Sequence, residues 1–174
     1  MHAPETSAAP QITVRRAERK DAAAIHALLM ELARARDVVH KVRSSVADIE
    51  RDGFGEKPAF EALIAEVNGT AAGLCLYFGS YSTWRGQPGI YVQDLVVAEA
   101  ARGLGVGRRL LAETAAVARA RGGSYLRLSV DDDNPRAQAF YRRSGFRHSQ
   151  AEMICVLDEG AFLELADSAK GAAP

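Results

Sequence analysis

Arg102-Gly103-Leu104-Gly105-Val106-Gly107-Arg108-Arg109-Leu110-Leu111 is the stretch whose reading decides the fold. It follows the apolar run Ile90-Tyr91-Val92-Gln93-Asp94-Leu95-Val96-Val97 and opens a segment of helical periodicity, with Leu110, Leu111, Thr114, Val117 and Ala118 on one stripe. A strand, a glycine-rich turn and a helix N-terminus together make an anion cradle. Glycine lets the backbone approach a ligand closely, and the first N–H groups of a helix have no partner inside it. Arg102 and Arg108 add positive charge. The turn therefore predicts a phosphorylated ligand. It does not fit a dinucleotide fingerprint, which needs a strand-first βαβ start and an acid about 20 residues on. The Gly-Lys-Ser/Thr ending of a nucleotide phosphate loop is absent as well.

Working outward, Ile12–Arg16 reads as a first strand, and Ile25, Leu28, Leu29 and Leu32 mark one face of an amphipathic helix from Asp21. Ser44–Arg51 reads as a shorter helix with a serine cap, ending before Gly53. Phe60–Val67, Asn68-Gly69 and Ala71–Phe78 form a hairpin signature. Past the glycine turn, the helix stops at Gly122-Gly123, and Leu126, Leu128 and Val130 alternate as a strand. Asn134-Pro135 starts another helix, with Ala137, Phe140 and Tyr141 on its inner face, ended by Gly145. Phe146–Leu157 is expected to supply one or two last strands, and Gly160–Asp167 a closing helix. The interleaving predicts an α/β fold built on a mixed sheet. One domain is expected over 12–168, with flexible tails at 1–11 and 169–174.

Charge balances at 22 Lys+Arg against 22 Asp+Glu, so no bulk field draws the chain to nucleic acid or an anionic membrane. Cys75 and Cys155 both sit in apolar runs and are expected to be buried, inert thiols. No apolar run approaches the ~18 residues of a membrane span, and the start lacks the apolar core of a signal peptide. A cytoplasmic protein without a metal is the expectation.

A second element, Asn134-Pro135-Arg136-Ala137-Gln138-Ala139-Phe140-Tyr141-Arg142-Arg143-Ser144-Gly145-Phe146, follows the glycine turn at a telling distance. Together with Arg102-x-x-Gly105-x-Gly107 it resembles the paired cofactor motifs of the GNAT superfamily of acetyl-CoA-dependent N-acetyltransferases. The resemblance implies a mostly antiparallel sheet flanked by helices and splayed between its middle strands. It places the pantetheine in that splay and the pyrophosphate on the backbone of Gly103, Leu104, Gly105, Val106, Gly107 and Arg108. Further strings, Glu31-Leu32-Ala33, Asp52-Gly53-Phe54-Gly55-Glu56-Lys57-Pro58, Ala65-Glu66-Val67, Tyr77–Trp84 and Tyr91-Val92-Gln93-Asp94, resemble the spermidine/spermine (diamine) N-acetyltransferase branch.

Carried over residue by residue, Tyr141 matches the general acid for the departing CoA thiolate. Its bland alternative is a core aromatic beside Phe140. Asn134, Arg136, Ala137, Phe140 and Arg143 match cofactor-side positions, although Asn134 is equally a helix N-cap and Arg143 equally a solvated cation. The backbone of Leu95, Val96 and Val97 matches the strand that hydrogen-bonds pantetheine and polarises the thioester carbonyl. Glu31, Arg36, Ser82, Trp84, Gln93 and Asp94 fall at acceptor positions. The resemblance also implies a homodimer and a small-molecule amine as partner. The alternatives to such an enzyme are a non-catalytic acetyl-CoA-binding module and acetylation of a protein amine.

The chain departs from the branch where acids are expected. Gln93 stands in place of a proposed base, Ser82 in place of an aspartate, and Arg36 in place of a glutamate. Two unit charges 4 Å apart interact by ~4 kcal/mol at an effective dielectric of about 20, so an arginine near a polycation turns attraction into repulsion. Arg36 therefore either points to solvent or suits an amine that also carries a carboxylate. Asp94 is expected to face away from Gln93, Glu31 is the other candidate base, a water chain to solvent is a further route for the proton, and no single residue takes the role of base.

Overall fold

The computed structural model describes residues 9–149 and 152–169. They divide between Asp132 and Asp133 into two compact units. The expected tails at 1–11 and 169–174 lie largely outside the described residues.

The first unit holds β1 (Ile12–Arg16), α1 (Ala22–Ala35), α2 (Val46–Phe54), β2 (Glu61–Val67), β3 (Thr70–Ser82), β4 (Gln87–Val97), α3 (Val106–Ala120) and β5 (Leu126–Leu128). The strands form one five-stranded sheet in sequence order. Pairing is antiparallel from β1 to β4, and β5 joins β4 in parallel. Asn68 (φ 52°) and Gly69 (φ 81°) are both left-handed, as a two-residue hairpin turn matched to strand twist requires. At α2, Ser45 and Asp48 accept each other's backbone N–H groups in a capping box. That helix continues through Gly53 to Phe54 rather than stopping before the glycine.

Each sheet face carries its own core. On one face, Leu63, Cys75, Tyr77, Ile90 and Val92 pack against Val106, Leu110 and Ala118 of α3. On the other, Ala62, Ile64, Leu74, Leu76 and Val96 pack against Ile25 and Leu28 of α1 and Ile49 of α2. A methyl group on Gly73 would sit 2.7 Å from Val106 Cγ1 and 3.0 Å from Leu110 Cδ1, so this glycine sets how closely α3 approaches β3.

Two irregularities in β4 position the site. Leu76 pairs with Asp94 and Tyr77 with Val92, which leaves Gln93 as the extra residue of a bulge. The parallel pairing with β5 covers only Ile90–Val92 against Leu126–Leu128. From Gln93 to Val97, no described strand pairs with that edge of β4. That edge of β4 is open among the described residues, where the sheet was expected to splay.

The second unit contains α4 (Pro135–Arg143) and α5 (Glu159–Ser168), the latter matching the expected closing helix. The strands expected over 146–157 are not formed among the described residues 146–149 and 152–157. Met153, Ile154 and Val156 are 92%, 72% and 76% exposed. The β-branched apolar run invites a strand reading, but a strand exists only where its N–H and C=O groups meet a ladder partner, and no described residue supplies one. Cys155 in this segment is exposed, correcting the expectation of two buried thiols, whereas Cys75 is buried. No described helix is long and apolar enough to cross a membrane.

Candidate active site

The glycine turn begins where β4 ends. Gly103 (φ 83°) and Gly105 (φ 86°) adopt the left-handed region, and Gly105 is the N-cap of α3. A methyl group at either would meet nothing within 4 Å. Backbone conformation, not crowding, therefore requires glycine there, and the space in front of the turn is open. Behind it, Ala101, Val106 and Gly107 are buried, which fixes the first turn of the helix against the sheet. The unpaired N–H groups of that turn carry the positive end of the helix dipole, equivalent to about half a charge. This open, donor-rich backbone offers the N–H groups that a pyrophosphate needs.

The arginines of the turn divide their work. Arg102 Nε donates to the Val97 carbonyl at 3.3 Å, bracing the turn against the last residue of β4. Arg109 donates to the Ile12 carbonyl and ties α3 to β1. Arg108 is exposed, and its guanidinium makes no hydrogen bond or ion pair among the described residues, so its charge remains available for an anion. Leu104, 40% exposed, projects from the turn. Along β4, Val96 is buried on the α1 face, while Leu95 and Val97 pack against the α3-side core.

The α1 face beside this junction carries the residues expected on the acceptor side. Asp94 lies across from Leu76 and is half-buried, and burial raises its carboxyl pKa above the ordinary aspartate range. Its carboxylate takes no hydrogen bond or ion pair among the described residues. Gln93 is exposed on the bulge. Phe78 and Tyr91 stack with ring centroids 5.2 Å apart, and the Tyr91 hydroxyl meets Ser129 Oγ at 2.7 Å. Phe78 and Tyr91 stood in strings that carried the family resemblance, but none of the three was given a site role from the sequence. Their aromatic–polar alternation was visible, but their convergence is a product of strand register.

Other expected acceptor residues are placed differently. Glu31 Oε1 accepts the Glu99 N–H at 2.7 Å, which commits its carboxylate to the start of the short turn after β4. Arg36 neither points to solvent nor stands alone, because its guanidinium pairs with Asp131 at 2.5 Å. Ser82 Oγ accepts the Arg85 N–H at the end of the β3–β4 hairpin. Trp84, at the tip of that hairpin, is fully exposed and contributes nothing to the Asp94 surface. On the opposite face, burial pushes the Cys75 thiol up to about 11, and Thr114 Oγ1 donates to its sulfur. It is a packed core thiol rather than a nucleophile.

In the second unit, Asn134 Oδ1 accepts the Ala137 N–H at 3.1 Å, the N-cap role foreseen for it. Ala137, Phe140 and Tyr141 are half-buried, and Arg136 and Arg143 are exposed. The Tyr141 ring meets Phe140 and Phe146 edge-on at 5.3 and 5.5 Å. Its orientation is therefore set by two aromatic neighbours. Among the described residues no group of three or more His, Cys, Asp or Glu side chains is arranged to hold a metal.

The model of the acetyltransferase (GNAT) family matches residues 23–146. A thialysine N-epsilon-acetyltransferase from Bos taurus is 37% identical over 142 residues, covering 77% of this chain and 83% of that protein. Spermidine/spermine N(1)-acetyltransferase-like protein 1 from Homo sapiens is 35% identical over 112 residues, which is 60% of this chain but only 16% of that protein. Among solved structures, an aminoglycoside N-acetyltransferase in complex with CoA aligns with a TM-score of 0.68 at 17% identity, covering 91% of this chain and 99% of that one. This last likeness shows the fold.

Proposed function

This chain belongs to the acetyltransferase (GNAT) family, in its diamine-acetyltransferase branch, and is an N-acetyltransferase; from that premise we propose that it moves the acetyl group of acetyl-CoA directly to a primary amine of a small molecule, polyamine-like or lysine-like. One observation carries the reading. The left-handed Gly103 and Gly105 open an anion cradle at the end of β4, directly beyond the part of β4 that β5 leaves unpaired. The donor's pyrophosphate belongs on the N–H groups of residues 103–108, with Arg108 adding charge. Its pantetheine belongs along the backbone of Leu95, Val96 and Val97.

Acetyl-CoA, when bound, supplies an activated thioester carbonyl. An alkylamine of ordinary pKa ~10.4 must lose a proton before it attacks. Gln93 can orient a water but cannot accept that proton. Asp94 is the proton acceptor in this reading, since a half-buried carboxylate with a raised pKa is a stronger base than an exposed one. Tyr141 is the proton donor to the leaving sulfur, at its phenolic oxygen. Asn134, Arg136, Ala137, Phe140 and Arg143 are assigned to the donor side on the family resemblance, and Glu31 to supporting the turn after β4. Because Cys75 is buried and weakly acidic, direct transfer is favoured over an acetyl-cysteine route. The reading also treats 12–168 as one acetyltransferase domain working as a cytoplasmic homodimer, with light scattering of the purified protein testing the assembly.

The deciding experiment is CoA release from acetyl-CoA with a panel of polyamines, lysine analogues, aminoglycosides and a peptide amine. Release with small amines supports the reading. Acetyl-CoA binding without release by any amine points instead to a non-catalytic binding module.

A further inference from the structure

One side chain on the α1 face ties three parts of the sheet together. The Tyr91 ring, on β4, stacks on Phe78 of β3 with centroids 5.2 Å apart and planes 16° apart. Its hydroxyl meets Ser129 Oγ at 2.7 Å, and Ser129 is the first residue after β5. In the parallel register Tyr91 pairs with Arg127, so the hydroxyl reaches two residues, roughly 6.6 Å, further along. That reach spans the end of the β4–β5 ladder, whose last pair is Val92 and Leu128. A side chain therefore holds Ser129 to β4 just where the backbone pairing stops.

The bulge in β4 follows directly on that last pair. Leaving Gln93 out of the β3 register bends β4 and increases its local twist. A bend in β4 that β5 does not share separates the two strands. The bulge thus favours parting, and the Tyr91–Ser129 bond opposes its spread back along the ladder. Tyr91 is half-buried, and its stack on Phe78 orders the ring before the hydroxyl meets a partner. That prior ordering lowers the entropy cost of the bond. We propose that Tyr91 and Ser129 are positioning residues, whose hydroxyl clasp fixes the point at which β4 and β5 part and so shapes the opening that receives the pantetheine arm of the donor. The proposal rests on the acetyl-CoA reading above. Because the clasp stands apart from the glycine turn, it acts on the pantetheine and leaves the nucleotide end of the donor alone.

The test uses the purified full chain and two ligands. CoA is titrated by calorimetry, and adenosine 3′,5′-bisphosphate, the nucleotide end of CoA without pantetheine, is read by its competition with CoA. Tyr91→Phe keeps the stack on Phe78 and removes the hydroxyl, and Ser129→Ala removes its partner. Each is expected to weaken CoA by about 2- to 10-fold, the net worth of one hydrogen bond, and to leave the bisphosphate unchanged. The double variant is expected to match either single one, because both remove the same bond. Ser129→Thr, which keeps a hydroxyl, is expected to retain wild-type affinity for CoA. Amide hydrogen exchange of the free protein gives a second readout, faster in both single variants at 90–92 and 126–129 and unchanged across α1 and α3. Equal losses for CoA and the bisphosphate, or faster exchange throughout the first unit, mark a general loss of stability and overturn the proposal. Additive losses in the double variant, or wild-type CoA affinity in both single ones, overturn it as well. A wild-type chain that binds neither ligand sinks the acetyl-CoA reading itself, and this inference with it.

Discussion

Asp94 faces Leu76 across the β3–β4 ladder only because Gln93 is left out of the register. Without that bulge, Asp94 would continue the α3-side row begun by Ile90 and Val92, against a core with no room for a carboxylate. With it, the carboxylate emerges on the α1 face, half-buried and without a counter-charge among the described residues, and burial raises its pKa. One inserted residue moves this position from the α3-side core to the half-buried α1 face.

Two opposite effects are expected of Asp94→Asn. Turnover should fall by about 10²- to 10⁴-fold, the range for removing a positioned general base. Stability at pH 7 should rise. The folded carboxyl has a raised pKa, so between its unfolded and folded values the native state holds the extra proton, and stability falls as pH climbs through that window. The thermal midpoint of the variant should therefore exceed that of the wild type at pH 7, with the gap closing below about pH 4, the reference carboxyl range. Thermal melts across pH, paired with initial rates, check both halves. Lower stability together with unchanged turnover would remove Asp94 from the mechanism.

Tyr141→Phe keeps both edge-on ring contacts, with Phe140 and Phe146, and a thermal melt beside the kinetics reads any loss of stability separately. It should lower kcat by about 10- to 10³-fold with little change in the KM for acetyl-CoA. A steady-state comparison at saturating amine decides it. Wild-type turnover in the variant would leave Tyr141 as a packing residue.

Two glycines should fail for different reasons. Gly105→Ala places a side chain at φ 86°, at a cost of about 1–2 kcal/mol, with open space around the methyl group. Acetyl-CoA affinity should suffer along with stability, because that backbone is the cradle. Gly73→Ala meets Val106 and Leu110 in the core and should cost about 1–3 kcal/mol by overpacking. Calorimetric titration with CoA, set beside denaturant melts, separates the two.

Glu31→Ala should cost about 0.5–2 kcal/mol, the loss of a capping-type acceptor for the Glu99 N–H. Glu31→Gln, which keeps a carbonyl oxygen in place, should recover most of that. If Glu31 instead binds the amine, Glu31→Gln would leave stability intact and raise the KM for the acceptor. Melts and acceptor kinetics on the pair of variants tell these apart.

Much of the local geometry was legible from local chemistry. Gly103 and Gly105 are demanded by backbone conformation, Asn134 by its own helix cap, and the Asn68-Gly69 turn by strand twist. Each depends on neighbours within a few residues, so the signal survives in the linear chain. The reading faltered where partners are distant. Glu31 and Glu99, Arg36 and Asp131, and Tyr91 and Ser129 are brought together by tertiary packing alone. The one or two strands expected over 146–157 are not formed among the described residues for a related reason, since apolar alternation states a preference but cannot provide a ladder partner.

The amino-acid sequence by itself determined an anion cradle for a phosphorylated ligand, because such a cradle is made of backbone geometry that glycine spacing specifies directly, while the fold family and the acetyl donor followed from the resemblance of two motifs, Arg102–Gly107 and Asn134–Phe146. The surroundings of Asp94 and Arg36 were left to the tertiary structure. There, a single-residue bulge chose the face on which Asp94 appears, and the close of α1 toward the segment after β5 turned Arg36 from a lone cation into half of a charge pair. Charge at a site depends on which groups meet through space, and sequence separation carries no record of that.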